Sequence, residues 1–322
     1  MSEIADAGKI LLYYKYVEIE DPEAIKRWQE RLCKRLELTG RIIIATEGIN
    51  GTVGGTVEST DAYKAAMEEH FLFGSIDFKE APGDASFFPR MRIVVKEEIV
   101  NLGLDTQKVT VKDGGKHLTP EEVHELLNNP PADLVILDTR NNYESRVGTF
   151  RNSLTPDIQN FRELPQYLDD NIQQFENKKV LMHCTGGVRC ERATAYLQQK
   201  GVAKEIYQIQ GGIQRYIEKY PDGHFRGSNY VFDARVTERI NADILSNCDL
   251  CQIPCDEYQN CMNAFCNKQF IGCADCVIGF NETCSKKCMD LLEKGLVKRR
   301  PVGRKKAAYG LSYQTKNDAV GV

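Results

Sequence analysis

The chain has 322 residues, a length at which one hydrophobic core is normally outgrown, so two or three domains are expected. An apolar content of 42% suits a soluble globular protein, no run approaches the ~18 consecutive apolar residues of a membrane span, and Met1–Lys9 lacks the basic and apolar regions of a secretory signal. These features argue against a membrane partner and make the cytoplasm the expected location. The net charge of −4 is unevenly spread, because Lys298, Arg299, Arg300, Arg304, Lys305 and Lys306 crowd one short segment. Such a run is either a solvated tail or a contact surface for a polyanion such as nucleic acid. Nine of the twelve cysteines fall between Cys248 and Cys288, while Cys33, Cys184 and Cys190 stand apart. With no export signal, cysteines at such short spacing read as metal ligands before disulfides.

Taken in order, Ile10–Val17 is rich in aromatic and β-branched residues and reads as a strand. Pro22–Leu38 reads as a helix capped by Asp21, and Arg41–Ala45 as a second strand. A helix near Thr60–His70 and strands near Ile76–Lys79 and Arg92–Val95 complete a βαβ-βαβ rhythm that suits a ferredoxin-like α+β domain over residues 1–115. The stretch Thr46-Glu-Gly-Ile-Asn-Gly-Thr52 is expected to be a loop, its glycines serving a tight turn or close approach to a ligand. Thr119 caps and Pro120 opens a further helix. Short apolar strands at Leu134–Asp138, Val180–His183 and Glu205–Ile209, each followed by a loop, give the βα rhythm of a buried parallel sheet over residues 116–226. Gly227–Arg235 reads as a linking strand into a third module over residues 227–322, ending in a tail expected to be disordered.

The reactive centre is expected where strand Val180–His183 enters Cys184-Thr185-Gly186-Gly187-Val188-Arg189 and a helix leaves from Cys190 to Gln199. A loop that opens a helix turns its backbone N–H groups inward and adds the positive end of the helix dipole. With Arg189 nearby, the Cys184 thiol should ionise easily. Four residues separate Cys184 from Arg189, one fewer than in cysteine phosphatases, so the cradle suits sulfur better than phosphate. Cys190, in the first helical turn, is a candidate redox partner, although side chains at that position more often simply pack. His183 should face away from the nucleophile.

Asp138-Thr-Arg140, Glu144, Gly148-Thr-Phe-Arg-Asn-Ser153, the Cys184 loop and Gly211-Gly212 resemble, in order, the signatures of rhodanese domains. That resemblance implies a cysteine able to carry a persulfide, with Asp138 and Arg140 tying the first strand's loop to the fold. Ala45-Thr-Glu-Gly-Ile-Asn-Gly-Thr52, His183–Glu191, Asn229-Tyr-Val-Phe-Asp233 and the cysteine array together resemble the tRNA uridine hydroxylases of the rhodanese superfamily. This implies formation of 5-hydroxyuridine at the wobble position of a tRNA anticodon arm with molecular oxygen as co-substrate. No flavin or haem motif is present. The alternatives are a sulfurtransferase acting through a Cys184 persulfide, and a non-enzymatic RNA-binding protein whose loop senses sulfur or oxidants.

The array runs Cys248, Cys251, Cys255, Cys261, Cys266, Cys273, Cys276, Cys284, Cys288. Its short spacings are those of tetrahedral zinc sites, in which a tight turn brings two thiolates to one metal. Eight cysteines make two sites and leave one over, assigned to Cys255 because Pro254 stiffens its approach. The pairing is open, and disulfides are the competing reading. A zinc-stapled module followed by the six basic residues would clamp RNA phosphates.

Overall fold

The computed structural model describes residues 7–84, 88–232 and 235–300. These described residues form two compact units, one of residues 7–84, 88–232 and 238–243, the other of residues 235–237 and 244–300.

The first unit opens with β1 (Ala7–Tyr16), α1 (Pro22–Arg35), β2 (Thr39–Ala45), β3 (Gly48–Thr56), α2 (Val57–Glu69), β4 (Lys79–Asp84) and β5 (Met91–Val95). The sheet order is β4-β1-β3-β2-β5, antiparallel among β4, β1, β3 and β2, with β5 parallel to β2. This is the ferredoxin-like order with one added edge strand. Most of the stretch expected as a loop is instead strand: β2 turns at Thr46-Glu47 into β3, which lies between β1 and β2. Its glycines hid the strand, since glycine is depleted from strands and offers no side chain to alternate. Gly51 is needed because a Cβ there would sit 2.3 Å from the Tyr13 ring. Along β1, Leu11 and Tyr13 enter the core with Ile42, Ile44, Val53, Tyr63 and Met67, while Leu12, Tyr14 and Tyr16 point to the opposite face.

The same unit continues through β6 (Lys116–Leu118), α3 (Pro120–Asn128), β7 (Leu134–Asp138), α4 (Asn142–Ser145), β8 (Gly148–Phe150) and β9 (Ser153–Leu154). It ends with α5 (Leu164–Asp170), β10 (Lys179–His183), α6 (Val188–Lys200), β11 (Glu205–Ile209), α7 (Gly212–Lys219) and β12 (Phe225–Tyr230). The parallel sheet is β6-β11-β10-β7-β9. Its middle strand β10 is apolar from Val180 to Met182 because both faces are covered there: Val180 and Met182 pack with Leu164, Leu168 and Leu197, and Leu181 packs with Val123, Ile213 and Tyr216. The expected linking strand is β12, paired antiparallel with β8 and part of the first unit.

The second unit has little regular structure: the hairpin Tyr258–Asn260 with Gln269–Ile271, and helices α8 (Ala274–Gly279) and α9 (Lys286–Glu293). Its apolar cluster is small, with Phe270 fully buried among Cys261, Cys288 and Leu250. So small a core needs a further staple. Lys298–Arg300 is not a loose tail: the Ala264 amide donates to Lys298 O at 3.0 Å, the Arg300 amide donates to Met262 O at 2.7 Å, and Arg299 pairs with Glu282. Arg304, Lys305 and Lys306 lie outside the described residues. Among the described residues, no helix is long and apolar enough to cross a membrane.

Candidate active site

Strand β10 ends at His183, and the chain curls through Cys184–Gly187 before α6 begins at Val188, two residues earlier than the sequence suggests. The curl needs glycine at Gly187, where φ is +103° and a Cβ would lie 2.7 Å from the Tyr14 hydroxyl. Gly212 is constrained from the other side. A Cβ there would meet Cys184 O at 2.6 Å and Gly187 N at 2.7 Å. The first turn of α7 then holds the loop, with the Ile213 amide donating to Cys184 O at 2.9 Å and the Gln214 amide to Thr185 O at 3.0 Å.

Cys184 is fully buried. Burial by itself would push its thiol up, but the Cys190 thiol, the Arg189 charge and the backbone amides of Cys190 and Arg189 outweigh it and bring the thiol down to about 6. The Gly187 amide adds a hydrogen bond to Sγ at 3.1 Å. Cys190 behaves oppositely: burial and the neighbouring Cys184 anion hold it well above the usual thiol range, so it serves as a donor to that anion. Thr139 Oγ1 lies 3.6 Å from Cys190 Sγ. Cys33, buried in the other core, is pushed up to about 12 by desolvation. Of the three isolated cysteines, Cys184 alone is held as a thiolate near neutral pH.

Arg189 is fixed by Glu144, which accepts two hydrogen bonds at 2.6 and 2.7 Å, and reaches Thr185 Oγ1 at 3.4 Å. Asp138 accepts from the equally buried Arg140 through Nε at 2.9 Å and Nη2 at 2.7 Å, and from the half-buried Thr149 Oγ1 at 2.9 Å. Burial would raise the Asp138 carboxyl, yet Arg140 and His183 hold it well below the usual range. His183 contacts Ser153 Oγ at 2.9 Å through Nε2. Desolvation lowers it to about 4, so it is neutral at pH 7 and faces the Asp138 pair rather than Cys184.

The far face of β1 closes the site, a contact absent from the sequence-based expectations. Tyr14 donates to Glu191 Oε1 at 3.0 Å, Tyr16 donates to Val188 O at 3.2 Å, and Leu12 lies over Gly186. Lys79, only 3% exposed, stands 5.4 Å from the Tyr14 ring centroid and pairs with Asp77 at 3.0 Å. Burial lowers its pKa, opposed by Asp77 and by the Cys184 anion. A fully buried Arg192 ties α6 to the first domain, donating to Glu47 at 3.2 Å, Glu98 at 3.1 Å, Val109 O at 2.8 Å and Leu104 O at 2.9 Å. The signal available in the sequence was the second aromatic face of β1, with Tyr14 and Tyr16 at alternate positions.

In the second unit the eight cysteines separate into two interleaved quartets, Cys248, Cys251, Cys273, Cys276 and Cys261, Cys266, Cys284, Cys288, each with its sulfurs within 4.8 Å of one another. Cys255 stands outside both and is buried. A metal with four sulfurs at about 2.3 Å requires sulfur–sulfur edges of about 3.8 Å. Cys251 and Cys273 are 3.6 Å apart, as are Cys266 and Cys284. Amides of Cys273 and Cys284 point at Cys248 Sγ and Cys261 Sγ at 3.4 and 3.5 Å, as thiolate ligands require. The donor sets therefore fit a tetrahedral, thiolate-binding metal.

A five-stranded parallel sheet with a cysteine cradle at the end of its central strand defines a rhodanese-type domain, and the chain matches the rhodanese-like domain over residues 119–219. It also matches the UPF0176 acylphosphatase like domain over residues 8–99 and the rhodanase C-terminal domain over residues 226–289. Across most of its length it is 40% identical to a tRNA uridine(34) hydroxylase of Bacillus pumilus, covering 87% of this chain and 88% of that protein. The same identity and coverage hold for one from Listeria monocytogenes. One from Corynebacterium urealyticum is 39% identical over 87% of this chain and 96% of its own. The chain belongs to the tRNA uridine(34) hydroxylase family.

Proposed function

We propose that this chain hydroxylates uridine 34 of tRNA with Cys184 as the reactive group, using molecular oxygen and a two-electron donor so that one oxygen atom enters the base as 5-hydroxyuridine and the other leaves as water. The observation that carries the reading is similarity extending through most of the chain to proteins named for that activity, together with a thiol held near 6 in a loop that lies within the stretch matched by the rhodanese-like domain. Arg189, positioned by Glu144, and the amides of the Thr185–Arg189 loop keep the sulfur anionic; Cys190 donates a hydrogen bond to it. The two cysteine quartets hold structural zinc that folds the second unit, and the basic residues from Lys298 onward contact phosphates of the anticodon arm. Only an RNA whose base is already unstacked, as in an anticodon loop, delivers a pyrimidine at low cost. The test is nucleoside analysis of tRNA from a deletion strain complemented with wild type or Cys184→Ser. Wild type should restore 5-hydroxyuridine and the variant should not; full restoration by the variant removes Cys184 from the chemistry. A sulfurtransferase would instead release thiocyanate from thiosulfate and cyanide and leave the nucleoside unchanged.

A further inference from the structure

One aromatic surface beside the site has no part in holding the thiolate. Phe232 is 54% exposed, yet it is fixed: the Tyr230 ring packs edge-on against it at 5.3 Å, and Tyr143 packs edge-on against Tyr230 at 5.3 Å. On its other flank the Arg189 guanidinium carbon lies 5.7 Å from the Phe232 centroid. The Tyr143 hydroxyl accepts from Asn141 Nδ2 at 2.7 Å, and the Asn141 amide donates to the same Glu144 that grips Arg189. Six residues, Asn141, Tyr143, Tyr230, Phe232, Arg189 and Glu144, thus close a ring of contacts in which Phe232 is the member that keeps a large part of its surface open. Within that ring the Asn141 side-chain oxygen is buried without a hydrogen-bond partner.

A single exposed ring is ordinary on a protein surface, and Phe71 and Phe265 are more exposed; Phe232 is distinguished by being packed between the Tyr230 ring and the Arg189 guanidinium. Here it borders a planar guanidinium already saturated by a carboxylate, so the ring and the cation together offer π surface with no spare charge. Flat, polar-edged nucleobases exploit such a surface, whereas an aliphatic side chain does not. A rigid aromatic face also receives a base at little conformational cost. We infer that Phe232 is the stacking platform that receives the target pyrimidine at the margin of the Cys184 site, positioned by Tyr230, Tyr143 and Arg189. This rests on the tRNA reading above and names the residue that captures the base.

The test is a binding cycle between the full-length protein and an anticodon stem-loop that carries either uridine or an abasic site at position 34. Phe232→Ala should weaken binding of the uridine stem-loop about 10-fold or more, the scale of one base–aromatic stack, and leave binding of the abasic stem-loop unchanged. Phe232→Tyr should restore binding to within about 3-fold, while Phe232→Leu, equally apolar but without a π face, should not. The thiolate absorbance of Cys184 near 240 nm should be the same in all variants, because the ring does not touch the sulfur. If Phe232→Ala discriminates uridine from the abasic site as well as wild type does, or weakens both stem-loops equally, the platform assignment is overturned. If wild type itself binds neither stem-loop, the tRNA reading falls and the inference with it.

Discussion

The ionisation of Cys184 is the feature on which the site depends, and it yields a numerical expectation. With the thiol near 6, about 90% is thiolate at pH 7, against about 1% for a thiol at its ordinary value of 9.0. The difference in absorbance near 240 nm between wild type and Cys184→Ser should rise with a midpoint close to pH 6, a readout that needs no reagent to reach the buried sulfur. The same depression contributes to stability. Because the folded value lies below the unfolded one, the contribution is fully present above pH 9 and is lost as pH falls through 6; three pH units correspond to about 4 kcal/mol. In denaturant titrations that follow unfolding of this unit, the stability gap between wild type and Cys184→Ser should therefore widen by about 3 kcal/mol between pH 6 and pH 9. The spectroscopic step reports the first proton lost from the Cys184–Cys190 pair. A midpoint at or above pH 8.5, or a stability gap that does not change with pH, would refute the claim that the Cys190 thiol, Arg189 and the loop amides outweigh burial.

Further perturbations test the parts that build this site. Gly212→Ala places a methyl against Cys184 O, Gly187 N and Thr185 O at a φ of +70°, so it should raise the thiolate midpoint or abolish it, with the N-terminal domain still folded by circular dichroism. Arg192→Ala strands Glu47 and Glu98 without their shared cation and should destabilise the first unit by about 3 to 5 kcal/mol, read from denaturant midpoints; a loss under about 1 kcal/mol would show the contact is incidental. Protein prepared under reducing conditions should contain two zinc ions per chain, falling to one in Cys251→Ser and staying at two in Cys255→Ser; chelation should unfold the second unit and spare the first. Replacing Lys298, Arg299, Arg300, Arg304, Lys305 and Lys306 with neutral residues should lower tRNA affinity and flatten its dependence on salt by roughly 0.7 to 0.9 in logarithmic slope per lost phosphate contact. An unchanged slope would assign phosphate binding elsewhere.

Much of this site is local and therefore legible in the sequence. A strand running into Cys184-Thr-Gly-Gly-Val-Arg189 and then a helix already specifies inward-facing amides, because four consecutive residues and two glycines fix the backbone path. The cysteine array likewise suggests eight cysteines that cluster and one outlier, since the turns between paired cysteines are short, and the structure groups them so. Which cysteines come together was not legible: the quartets interleave, joining Cys248 to Cys276 and Cys261 to Cys288 through a fold whose long-range path no spacing encodes. Nor was the partner of Arg189, Glu144, which is 45 residues away, or the pairing of Arg192 with Glu47 across 145 residues. The glycine-rich β3 escaped because its identity as a strand comes from its neighbours β1 and β2 rather than from its own side chains. The sequence determined the chemistry that one continuous segment can build; the tertiary structure decided which distant charges, rings and thiols meet it, because burial selects partners by position in space and not by distance along the chain.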